Sequence, residues 1–298
     1  MTQRPSLALI GPGRVGCAIG KRLHDAGYRW RALVGRQQET LRDAAAFIGI
    51  DPQRATTDLS RTIEADVILL AVQDDAVIAL AHELASLGLK KTTTLVHFSG
   101  LLPASVMDTD PGAPTLSIHP LLSFADRATA LVQLEGCPCA IESENAACTA
   151  LGHKLVDAIG GRGFILPATA KTLYHLAASV ASNFQVTLAA CARNLMTHCG
   201  FDQQQATELL RPLQQATAAN LAHLSAEEAL TGPIARGDVS TVAHHLLALA
   251  TEVPDMLDLY RVLATHTLTL AQADQRLSAA DAEALNTLLK QRPPDPQH

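Results

Sequence analysis

The chain has 298 residues, 48% hydrophobic and 17% charged, which supplies packed cores for one large domain or two ordinary ones and shows no signature of disorder. A formal charge of -6 and only 3% aromatic residues argue against a nucleic-acid surface, which needs basic patches and stacking platforms.

Residues 1–5 run directly into the apolar stretch 7–10, too short for a secretory leader and without a cleavage site. Residues 7–10 read as the first strand. Gly11-Pro12-Gly13-Arg14-Val15-Gly16 follows at once and opens a helix over 15–26. A G-x-G-x-x-G run in that context is a dinucleotide fingerprint. Gly11 permits the tight turn, Gly13 lets backbone approach a pyrophosphate, and Gly16 lets the helix pack on the strand. The helix N-terminus offers free N–H groups and partial positive charge. Arg14 and Val15 belong to the same cradle.

The second strand, 30–34, ends in Gly35-Arg36. An NAD site asks for an acid here, about 20 residues past the fingerprint, to hold the ribose hydroxyls. The acid is absent and Arg36 stands in its place, which suits the 2′-phosphate of NADP. Arg14 can add a second positive charge. A helix over 40–48 and a strand over 66–72 follow. The turn Val72-Gln73 should pass over the cofactor, and Asp75 can cap the helix over 75–87.

Strands over 94–98 and 115–118 leave two loops at the carboxyl edge of the sheet. One carries His97-Phe98-Ser99-Gly100, the other Ser117-Ile118-His119-Pro120. Ser99 can bond substrate or nicotinamide amide. His119 can act as acid, base or hydrogen-bond partner near neutral pH. His97, inside an apolar strand, reads as a satisfied core histidine. Further strands lie over 139–141 and 163–166, with a helix over 144–159. Strand-helix alternation with apolar strands predicts a mainly parallel, doubly covered sheet.

After Pro167 no strand is predicted. The boundary gives domains 1–166 and 167–298, a Rossmann-like α/β domain and an all-α domain. A long helix is expected from 168 to 199, stopping at Gly200, then helices over 203–215, 241–251, 254–273 and 281–290. Ser225 with Glu228, and Ser278 with Asp281, read as capping boxes. The tail from Arg292 is Pro-rich and reads as loose. Residues 172–192 contain no charged side chain but too many polar ones to span a bilayer, so a buried helix is expected and no membrane partner.

Lys171 and His175 share one face of this helix. Reduction of a carbonyl needs a proton donor beside the hydride, and a desolvated lysine can serve. Lys171 is the preferred donor, with His175 and His119 as the other catalytic candidates. Asn183 lies further along and can hold nicotinamide, substrate or only packing. In the loop at 231–238, Arg236 can clamp a carboxylate, and Asp238 can cap the next helix or orient a histidine. The six cysteines, 17, 137, 139, 148, 191 and 199, lack metal spacing. No metal is expected, and reduced, mostly buried thiols suit a cytoplasmic enzyme.

On residues 11–16, 95–103, 117–124, 171–183 and 230–238, the chain resembles a bacterial family that joins a Rossmann-like domain to a domain of unknown function. That family is similar to the 6-phosphogluconate and β-hydroxyacid dehydrogenases, pyrroline-5-carboxylate reductase, prephenate dehydrogenase and ketopantoate reductase. The resemblance implies NADP, a helical C-terminal domain, homodimers through it, and 2-dehydropantoate as leading substrate. β-Hydroxyacid dehydrogenases place Asn four residues after the catalytic Lys. Here Lys171 matches and His175 departs. His119-Pro120 and Ser99 resemble the substrate loops of prephenate dehydrogenases. The expected activity is reduction of a small 2-oxo acid or related carbonyl. An imine reductase, a dehydrogenase of the prephenate type and a non-catalytic NADP-binding regulator are the alternatives.

Overall fold

A computed structural model describes residues 4–109, 112–273 and 277–291. The chain divides into two compact units, 1–182 and 183–298.

In the first unit, β1 (Leu7–Ile10), α1 (Arg14–Asp25), β2 (Trp30–Val34) and α2 (Gln38–Ile48) build the opening βαβ unit. Then come β3 (Ala55–Thr56), β4 (Val67–Leu70), α3 (Asp74–Ser86), β5 (Thr94–His97) and β6 (Thr115–Pro120). α4 (Arg127–Gln133), β7 (Pro138–Glu142), α5 (Ala146–Ala158), β8 (Arg162–Ile165) and α6 (Lys171–Ala181) complete it. The sheet order is β3-β2-β1-β4-β5-β6-β7-β8. The six strands from β3 to β6 pair parallel; β7 runs antiparallel to β6, and β8 parallel to β7. Every residue of β1 and β4 is buried, which explains their unbroken apolar sequence: helices cover both faces. Because β1, β4, β5 and β6 run the same way, the turns after them open on one edge.

The second unit holds α7 (Asn183–His198), α8 (Gln203–Leu221), α9 (Ala226–Ala229), α10 (Val239–Glu252), α11 (Leu257–Ala273) and α12 (Ala279–Lys290). Its core gathers Val242, Leu246, Leu249, Leu268 and Leu285 from α10 to α12. Gly200, at φ 91°, lies just past the end of α7, as a stop signal there should. Ser225 and Glu228 form a reciprocal capping box, and Ser278 caps α12.

The α/β arrangement is as the sequence predicts, with three corrections. The helix expected over 168–199 is two helices, broken at Ser182, whose φ of -118° and ψ of -66° depart from regular helix values. No glycine or proline marks that break. α6 packs with the sheet unit, so the units divide at 182/183, not at 166/167. Residues 172–192 were expected to be buried, yet not one of them is. Leu173, Leu176, Val180, Phe184 and Val186 are all exposed. Two short elements, β3 and α4, escaped the sequence reading because each is brief. The Pro-rich tail from Arg292 lies outside the described residues. No helix among the described residues is long and apolar enough to cross a membrane.

Candidate active site

The turn after β1 behaves as three different glycines. Gly11 has φ of 85°, and a Cβ on it would lie 2.6 Å from Ala71 O. A Cβ on Gly16 would lie 2.5 Å from Gly11 O, so helix and turn touch there. Gly13 faces open space, with nothing within 4 Å of a built Cβ. Turn and packing thus fall to the glycines the sequence assigns, and the space beside Gly13 is open. The first intrahelical bond of α1 runs from Cys17 N to Gly13 O, so the N–H groups of Arg14, Val15 and Gly16 precede the ladder. No acidic residue stands in this first turn to compete with an anion. The cradle fits a pyrophosphate. Arg14 and Arg36 are both exposed. Val72 Cγ1 closes the floor of the turn, 2.7 Å from a Cβ built on Gly11, and Gln73 is the N-cap of α3. Asp75 does not cap that helix; α3 starts one residue earlier, at Asp74.

The turn after β5 is bound from several sides. His97, fully buried, accepts from Ser99 N through Nδ1 at 3.1 Å, while Nε2 lies 3.3 Å from Pro103 O. Ser99 Oγ donates to Asp74 Oδ2 at 2.7 Å and accepts from Leu101 N and Leu102 N at 3.1 and 3.0 Å. A hydroxyl has one donor and two acceptor positions, so Ser99 Oγ is fully used. Its expected side-chain contact with substrate or nicotinamide is thereby displaced: the hydroxyl shapes the turn.

Lys171, at the start of α6, is 1% exposed. Its Nζ donates to Ser117 Oγ at 2.7 Å and to Ser99 O at 3.2 Å. Burial lowers its pKa to about 8, opposed by the negative charges of Glu142 and Asp74. His119 Nδ1 lies 2.9 Å from the Tyr174 hydroxyl. Burial, then the charge of Lys171, then His175, lowers His119 to about 4, so it is neutral at pH 7. Burial, then the neighbouring thiols, pushes Tyr174 up to about 12. His175 Nδ1 is buried without a hydrogen-bond partner.

The structure therefore brings Ser99, His119, Lys171 and His175 together at the edge that also carries residues 11–16. Asn183, exposed, opens α7 in the second unit. Arg236 is exposed in that unit, and Asp238 caps α10 by accepting from Thr241 N at 3.0 Å and Thr241 Oγ1 at 2.7 Å. Sequence reasoning overlooked Asp74, Ser117, Tyr174 and Glu142. Two of these had a signal. Ser117 lies two residues before His119 on a strand, hence on the same face. Tyr174 lies three after Lys171, one helical turn on. Glu142 enters only through pairing, opposite Ser117 between β6 and β7.

Residues 6–97 match the family described as NADP oxidoreductase coenzyme F420-dependent, and residues 137–267 match a domain of unknown function, DUF2520. The chain is an NADP-dependent oxidoreductase. No curated protein sequence matches it. Among solved structures, the oxidoreductase is similar to protein TM1727 from Thermotoga maritima, at 25% identity and a TM-score of 0.71 over 90% of this chain and 99% of that one. It is also similar to a candidate NADP oxidoreductase, BF3122 from Bacteroides fragilis, at 24% identity and a TM-score of 0.72 over 88% and 97%. The pyrroline carboxylate reductase of Plasmodium falciparum, solved with NADP, shares the fold at 10% identity and a TM-score of 0.58 over 97% and 100%. All six cysteines of the oxidoreductase are free, four of them buried.

Proposed function

We propose that the protein uses NADPH to reduce a small 2-oxo acid or related carbonyl compound, with 2-dehydropantoate as the leading substrate. One observation carries this reading. The buried Lys171 ammonium and the His119–Tyr174 pair stand on the same sheet edge as the glycine cradle. Residues 11–16 would hold the pyrophosphate, Arg36 and Arg14 the 2′-phosphate, and Val72 and Gln73 the neighbouring wall. Bound there, NADPH supplies the hydride that reduces a carbonyl carbon. The oxygen must then gain a proton, and a water-poor pocket favours a group already positioned to give it. His119, His175 and Lys171 are the candidates.

Fluorescence titration with NADPH and NADH tests the cofactor half. NADPH should bind at least about tenfold more tightly, and Arg36→Ala should erase the preference. Oxidation of NADPH with 2-dehydropantoate, other 2-oxo acids and cyclic imines tests the rest. Reaction with imines alone would replace the carbonyl reading. Tight binding without turnover on any of them would make the protein a dinucleotide-responsive binder.

The protein is also proposed to be a homodimer. On α6, Leu173 and Val180 are exposed; on α7, Phe184 and Val186 are exposed, and no residue of that helix is buried. Exposed apolar faces of this kind mark interfaces. Sedimentation should give twice the chain mass, and Val186→Asp should shift it to the monomer.

A further inference from the structure

Lys171 occupies the motif position from which a lysine would give up a proton, yet its ammonium points into the protein. Of its three donors, one meets Ser117 Oγ and one meets Ser99 O. The Ser99–Gly100 turn that it grips is held elsewhere by Asp74, His97 and the N–H groups of Leu101 and Leu102. Across the turn stand two imidazoles. A Cβ built on Gly100 would lie 2.8 Å from both His119 Nε2 and His175 Nδ1. At most twice that distance separates the two nitrogens. An oxygen at about 2.8 Å from each can bridge a pair that close. Gly100 lies outside the left-handed region, so space beside the imidazoles asks for glycine there, not φ. His175 Nδ1 is the buried polar atom that still needs a partner.

We propose that Lys171 is a positioning residue: it locks the Ser99–Gly100 turn, the turn sets the spacing of His119 and His175, and these two imidazoles hold one oxygen of the substrate. The identity of that oxygen rests on the reductase reading; the geometry does not. Ser117 is then the second member of the lock, because it is the nearer acceptor of the ammonium. The charge of Lys171 reaches the imidazoles as well. It adds to burial in lowering His119 and His97, each to about 4, while His175 adds to the effect on His119. Glu142 and Asp74 face the ammonium from β7 and α3, and Tyr174 faces His119 from α6. At neutral pH His119 is therefore an uncharged ring with one donor and one acceptor nitrogen.

The test compares Lys171→Met and Ser117→Ala with the wild-type protein, each saturated with NADPH. Hydrogen exchange at the amides of Leu101 and Leu102 reads the turn. The 15N titration of the His119 imidazole reads the charge. Turnover of whichever carbonyl the screen establishes reads the chemistry. We expect exchange to rise by about tenfold or more in both variants: Lys171→Met loses the charge-assisted bond to Ser99 O, and Ser117→Ala loses the Ser117 Oγ donation to Ser99 O at 3.4 Å together with the nearer anchor of the ammonium. The His119 titration should move up in Lys171→Met and stay in place in Ser117→Ala, which keeps the ammonium. Turnover should fall in both.

The proposal is overturned if Lys171→Met abolishes turnover with exchange and titration unchanged while Ser117→Ala works normally; Lys171 would then be the proton donor. If Lys171→Met does not fold, unchanged exchange in Ser117→Ala overturns it alone. If no carbonyl oxidises NADPH, the reductase reading fails, and the exchange and titration measurements still decide the role of Lys171.

Discussion

The hydroxyl of Tyr174, on α6, lies 2.9 Å from Nδ1 of His119 at the end of β6, with the rings edge to face at a centroid distance of 5.5 Å. A hydroxyl donating to Nδ1 leaves the proton on Nε2, the nitrogen beside Gly100. Tyr174→Phe removes that control of the tautomer. Turnover should fall by about tenfold, the value of one modest hydrogen bond, with NADPH affinity unchanged. Stopped-flow kinetics on the variant, set beside a cofactor titration, checks both halves.

The three glycines of the cofactor turn should separate by readout. Gly13→Ala meets no neighbour and loses only the N-cap preference of glycine over alanine, roughly 0.5–1 kcal/mol, so Tm should fall by no more than a few degrees. The methyl would stand where backbone approaches the pyrophosphate, and NADPH affinity should fall at least about tenfold. Gly11→Ala and Gly16→Ala clash with Ala71 O and Gly11 O, and both should lose stability even without cofactor. Thermal melts of the apoproteins and NADPH titrations distinguish the two patterns. Equal loss of stability in all three would refute the assignment of Gly13.

Acid should weaken the fold before carboxylates protonate. Burial and then the Lys171 charge lower His97 from 6.5 to about 4. The unfolded chain thus holds more protons between those values, so stability is full above about pH 6.5 and drains away as pH falls toward 4. A shift of that size corresponds to about 3 kcal/mol. His119 acts in the same direction over the same window. Urea unfolding at pH 7, 5.5 and 4.5 should show the decline, and His97→Asn should flatten it. A wild-type curve level down to pH 4.5 would mean that these rings accept protons in the folded state.

Asp238 should prove structural. Its carboxylate holds Thr241 N and Oγ1 at the start of α10, and those bonds keep its pKa below the usual range. Asp238→Ala should lower Tm, as cap removals do, and leave NADPH binding as it was. Unchanged stability with lost turnover would restore the substrate role that the sequence left open.

The cofactor half of this protein was legible because it is local. Residues 11–16 carry turn, approach and packing within one strand-helix junction, and the missing acid near Arg36 lies one strand away. Burial of both sheet faces was readable in the unbroken apolar runs of β1 and β4. The break at Ser182 was not readable from a breaker, since no glycine or proline announces it; Ser182-Asn183, poor helix formers that favour caps, is the one weak signal there. Nor was the exposure of residues 172–192: a charge-free helix looks the same whether its cover is its own chain or another surface.

Fold class, phosphate turn and the identity of the titratable residues near the sheet edge are encoded locally, because period, glycine spacing and strand order act over a few residues. What those residues do depends on contacts made across the fold. Ser99 spends its hydroxyl on Asp74 and its own turn, and Lys171 spends its ammonium on Ser117 and Ser99 O. Lys171 and Ser99 are 72 residues apart, and no local pattern encodes which donor meets which acceptor. That pairing is fixed when α6 closes over the ends of β5 and β6 and buried polar groups must find partners or lose the free energy of solvation.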